Sequence, residues 1–219
     1  DQKKYEEELY RRSREKQNRL AAHNAAQQKF ETELVKVTET SLKTFEVLPN
    51  PLLEAESLLD QAELDFKEGV FAPFWDSIEQ ATIRLGRFDS GITSIDSNLK
   101  RYGELSTLYE AKPPRFPIVI DSVKGMVSGS TTADRMKGIV RKAQRNFQFE
   151  SIYQQRKTNQ ILVAGFTNLA QALDGMGRRI SESIDQLSAE VSEMSSSLNA
   201  SMDALGEGIS ESVQELQST

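Results

Sequence analysis

The 219-residue chain contains no cysteine, a single histidine, a single tryptophan and six prolines. Without cysteine there can be no disulfide, thiolate metal site or cysteine nucleophile, and a reducing compartment, the cytoplasm, is the expected location. With His23 as the only imidazole, multi-histidine zinc sites and paired Glu-x-x-His di-iron bundles are excluded. A serine triad would have to use His23, and no Gly-x-Ser-x-Gly turn surrounds any serine. The stretch from Gly125 to Thr132 looks like a phosphate loop but lacks the lysine that must precede its Ser or Thr. Long apolar runs are also missing: the longest, Ile161 to Phe166, falls far short of the ~20 residues a bilayer span needs. The chain therefore reads as non-enzymatic, with no cofactor and no metal.

Basic residues stop at Arg179. Beyond it lie Glu182, Asp185, Glu190, Glu193, Asp203, Glu207, Glu211 and Glu215, against an overall balance of 27 basic and 33 acidic residues, net −6. An acidic C-terminal stretch on a nearly neutral body argues against that stretch lying on nucleic acid or an anionic surface.

What is present is helical periodicity. No proline or glycine interrupts Tyr5 to Leu48, and helix formers dominate there, so one long helix is expected. Its first half is nearly bare of apolar residues and should be solvated, whereas Phe30, Leu34, Val37, Leu42, Phe45 and Leu48 should pack. Asn50-Pro51 reads as a helix cap with a first-turn proline, and Gly69 as the stop of that second helix. Phe71, Phe74 and Trp75 then read as a core anchor where two helices turn on each other.

The third helix carries Ile78, Ala81, Leu85, Phe88, Ile92, Ile95, Leu99 and Tyr102 in alternating steps of three and four, the repeat of a helix seam facing a partner. Lys112 to Pro117 holds three prolines and must be extended. Ser128 to Thr131 reads as a loop, with Thr131 capping the next helix. No proline follows, and the spacing predicts one unbroken helix from Thr132 to Leu216. Within it Ile161 to Leu173 is apolar on most sides and should be enclosed by several helices. After Met176 the apolar set narrows to one seam, which a lone helix cannot leave bare.

The expectation is an all-α fold, an elongated helical bundle with a long C-terminal coiled-coil helix. It divides into a solvated extension (1–29), the bundle (30–176) and an acidic coiled-coil tail (177–219). The expected function is structural: a scaffold that self-associates by burying Ile180, Ile184, Leu187, Val191, Met194, Leu198, Leu205, Ile209 and Val213 between copies, with residues 1–48 folded back as the other available cover. A homo-oligomer and a protein partner are expected; nucleic acid is disfavoured. The alternative is a peripheral membrane-binding or membrane-shaping module using the basic cluster Arg135, Lys137, Arg141, Lys142 and Arg145 as an anion contact. Glu56, Asp60 and Glu63 share one helix face, which on its own is a solvated face or a weak cation site.

Overall fold

The computed structural model describes residues 2–157, 160–163 and 165–217, with side-chain surroundings for 5, 7–157, 165–197 and 200. It is an all-α fold of long helices: α1 (Gln2–Val47), α2 (Pro49–Glu68), α3 (Phe71–Leu108), a short α4 (Ile120–Lys124), α5 (Ser128–Gln144), α6 (Phe147–Arg156) and α7 (Leu169–Gln217). A small antiparallel hairpin, β1 (Gln160–Val163) and β2 (Phe166–Asn168), joins α6 to α7, with Val163 opposite Phe166.

The third helix is the axis of the molecule. All eight residues of its seam are buried, and Phe74, Trp75, Thr82, Asp89, Asp96 and Leu105 are buried on neighbouring faces. A helix enclosed on several sides needs several covers. Antiparallel α1 supplies one: Gln27 meets Leu108 and Glu110, Arg101 reaches Glu33, and Leu48 lies against Gly91. Antiparallel α2 supplies another, ending as its sequence foretold on left-handed Gly69 (φ 74°), whose N–H meets the carbonyl of Phe66. Its start differs from expectation. The helix begins at Pro49, and Asn50 lies inside the first turn without capping it, because two prolines there need no hydrogen-bonded N–H.

Beyond Leu108 the proline-rich segment runs back along α3. Tyr102 donates its hydroxyl proton to the Pro114 carbonyl at 2.9 Å, and Phe116 and Ile118 are buried. This return brings a single 3-10 turn (Gly125–Val127) and α5 down beside Phe88 and Thr82. Ser128 to Thr131 is helical, not a loop, so Thr131 caps nothing. Ser130 and Thr132 donate to the carbonyls of Val127 and Ser128, which lets small polar residues sit inside the helix.

The single helix expected from Thr132 to Leu216 is broken twice. Turning at Arg145, the chain starts α6 on Asn146, whose side chain accepts from the Gln148 N–H at 3.1 Å. The apolar run that suggested an enclosed helix is partly strand, with Gly165 at φ 85° in the turn. A short apolar run supports a strand or a buried helix equally well, and a positive φ at glycine decides for the turn. At the α6 end of the molecule, Phe66, Phe71, Phe74, Trp75, Phe149 and Tyr153 form one aromatic cluster, in which Trp75 donates to the Phe149 carbonyl at 3.0 Å.

Two glycines test this packing in opposite directions. A Cβ on Gly129 would overlap the buried Phe88 ring, whereas one on Gly103 would meet nothing within 4 Å. Gly129→Ala should destabilise by about 1–3 kcal/mol through overpacking. Gly103→Ala should stabilise by about 0.5–1 kcal/mol through helix propensity. Paired urea titrations read both, and two shifts of the same sign would refute this packing.

Candidate functional site

Two sequence features expected to be separate meet here. Arg135, from the basic cluster, lies over the acidic face of α2. It pairs with Glu56, with Asp60 at 2.6 Å and with Glu63 at 3.2 Å. The hydrogen bond to Asp60 leads in raising the guanidinium pKa, with Glu56 and Glu63 adding, and together they outweigh its partial desolvation. Arg135 is thus spent inside the fold and is not an anion contact, and the three acids hold a cation that is already covalently part of the chain. Helix spacing explains both: one turn separates Glu56 from Asp60 and nearly one separates Asp60 from Glu63, so one fork reaches all three.

The rest of the cluster divides. Lys137 is half-buried at an open cleft of about 310 Å³ between α5 and α7, also lined by Asp134, Asp174, Arg178, Ser130 and Ser181. Two acids and two bases leave this cleft without net charge. Arg141 and Lys142, in the last turn of α5, and Arg145, which caps it, are exposed and form no ion pair among the described residues. Two residues further on, Phe147 is 86% exposed, the most exposed large apolar side chain described.

The expected seam is also divided. Ile180, Ile184, Leu187 and Val191 are at most 5% exposed within the single chain, and Met194 packs against the same core. Their cover is not a second copy or residues 1–48 but α3, which α7 meets in parallel, with α4 and α5 also packed against α7. The pairs Asp89–Arg179, Asp96–Gln186 and Lys100–Glu190 all sit ninety residues apart. That corrects the inter-chain assignment for this half of the seam. The physical reason is that α3 already carries a seam of nearly the same period. The side chains of Leu198, Leu205, Ile209 and Val213 lie outside the described residues.

The polar part of this contact went unforeseen. Asp89 is fully buried, with Arg179 Nε 2.7 Å from one carboxylate oxygen and the Ser183 hydroxyl donating to the other at 2.8 Å. The Arg179 guanidinium also lies 5.4 Å from the Phe166 ring centroid, tying the hairpin to α7. A signal existed: Asp89 and Asp96 stand seven residues apart within an apolar helix, the pattern of acids answered by polar groups on a facing helix. Elsewhere, His23 is exposed and lies 3.1 Å from Glu110. No group of three or more metal-ligating side chains converges among the described residues. Nor is any helix there long and apolar enough to cross a membrane.

No family model, curated protein or solved structure matches the chain. What the fold defines is its class: an all-α protein of long helices around a central one.

Two substitutions probe the buried charges. Arg179→Met leaves the Asp89 carboxylate buried without its cation and should cost about 3 kcal/mol. Arg135→Met, on a more exposed cluster, should cost about 1–2 kcal/mol. Chemical unfolding midpoints measure each, and an Arg179→Met chain as stable as the parent would contradict the pairing.

Proposed function

We propose that this chain is a non-enzymatic structural module that self-associates through the C-terminal part of α7, which joins a coiled coil there. One observation carries the reading. With the ninety-residue offset, residue 198 stands level with Leu108, where α3 ends, yet α7 continues to Gln217. The helix thus runs about 28 Å past the end of α3. Along that overhang the sequence keeps the same apolar phase: Leu198, Met202, Leu205, Ile209, Val213 and Leu216. A helix with one apolar stripe gains its stability by hiding that stripe, at ~1.5–3 kcal/mol per large side chain. The same segment of a second copy carries an identical stripe, which makes a homo-oligomer the simplest cover. The absence of cysteine favours a reducing location such as the cytoplasm.

The acids flanking the stripe set the sign of the salt dependence. Asp203, Glu207, Glu211 and Glu215 carry like charge in every copy, so salt should screen their repulsion and strengthen association. Light scattering of the full chain should give a multiple of the 24.6 kDa chain mass. Combined Leu205→Asp, Ile209→Asp and Val213→Asp should return the chain mass with the helical signal retained. Leu187 is unsuited to this test because it belongs to the core. A parent chain that stays monomeric at high concentration and high salt would end this proposal.

A further inference from the structure

The α5–α6 corner combines two features that the fold itself does not use. The first is charge without neutralisation. From Arg135 to Phe149 no acid occurs, and once Arg135 is taken up by α2, the exposed Arg141, Lys142 and Arg145 remain. Cations in the last turn of a helix gain something from its dipole, which accounts for a basic turn but not for a bare aromatic ring beside it. The second feature is that ring, Phe147, fully presented to solvent at the start of α6. Phe149, two positions on and so on the opposite side of that helix, fills the aromatic cluster. The core therefore takes one phenylalanine of the pair and leaves the other out. Two peptide units separate Arg145 from Phe147, so their Cα atoms lie within about 7.6 Å.

We propose that this corner docks on an anionic lipid surface, with Phe147 entering the interface and Arg141, Lys142 and Arg145 meeting headgroup phosphates or carboxylates. This inference is independent of self-association through α7. Three observations favour a bilayer over other anions. The corner is an open turn, with residues 145–148 all exposed, which a planar surface can reach, whereas single-stranded nucleic acid needs a groove and several aromatic faces. Phe147 is a single exposed ring close in sequence to three exposed cations, the combination that partitions at a headgroup boundary. The acidic stretch of α7 also lies away from the corner. α7 runs parallel to α3, away from the end where Phe149 meets Phe71, and after Arg179 it bears only acids. An anionic surface repels that part and attracts the corner, so the field orients the protein before contact.

The N-terminal half of α1 is the rival basic element. Its cations are interleaved with Glu6, Glu7, Glu8 and Glu15, and Arg12 and Arg11 pair with Glu8 and Glu15 at 2.7 and 3.9 Å. At the corner the nearest acid in sequence is Glu150, in the first turn of α6, where it accepts a hydrogen bond from Gln154.

The test is flotation of the full chain with vesicles of phosphatidylcholine alone or with about 30% phosphatidylserine, enough to give the surface a negative potential. Binding should require phosphatidylserine and weaken as salt rises, the opposite of the salt response expected for self-association. Combined Arg141→Gln, Lys142→Gln and Arg145→Gln should lower the affinity about a hundredfold, at roughly fivefold per cation. Phe147→Ser should lower it at least about tenfold. All four side chains are exposed, so circular dichroism should be unchanged. Four results would each overturn the proposal: no binding to the anionic vesicles, equal binding to both kinds, variants that bind like the parent, or loss of binding on Arg12→Gln with Arg14→Gln and Lys16→Gln instead. Binding of polyuridylate without binding of vesicles would also overturn it and assign the corner to nucleic acid.

Discussion

The parallel contact between α3 and α7 holds the structure in one arrangement, and the buried Asp89 carboxylate fixes its register. An ionised carboxylate removed from water costs several kcal/mol unless its partners are in place. Arg179 and Ser183, one helical turn apart on α7, both reach it. Sliding α7 by a turn would keep greasy side chains against greasy side chains but leave that charge without one of its partners. Apolar packing supplies the attraction, and the acid specifies the alignment.

This alignment explains why other parts lie where they do. Two parallel helices cannot be joined by a tight turn, so the chain between them must travel the length of α3 in reverse. The proline segment with Tyr102 and Phe116 starts the return, and α5 continues it beside Phe88 and Thr82. Then α6 and the hairpin reverse direction beneath the aromatic cluster. Arg135 and Arg156 fasten this return path to α2 and α3 through Asp60, Glu63, Asp76 and Glu79.

Much of this was legible in the residues, for local reasons. The α3 seam from Ile78 to Tyr102 declared itself because its spacing depends on one helix alone. Gly69 marked a helix end because a left-handed cap demands it. What the residues hid was pairing. The Ile180 to Val191 stripe announced that something must cover it, but a stripe does not encode which helix will. The acids at 56, 60 and 63 and the base at 135 were each visible, and only the return path places them together. The break at residues 160–168 was obscured because Ile161, Leu162 and Val163 suit a strand as readily as a helix. The exposure of Phe147 was not legible either, since exposure is set by the angle between neighbouring positions on a helix whose start the spacing did not reveal.

The long detour between the two central helices also bears on synthesis. The first three helices are complete by Leu108, but the stripe on α3 that awaits α7 stays uncovered until Val191 has been added. At ordinary elongation rates that interval lasts about 4–17 s. A nascent chain in this state carries a ready-made sticky ridge beside identical ridges on neighbouring ribosomes until α7 arrives to cover it.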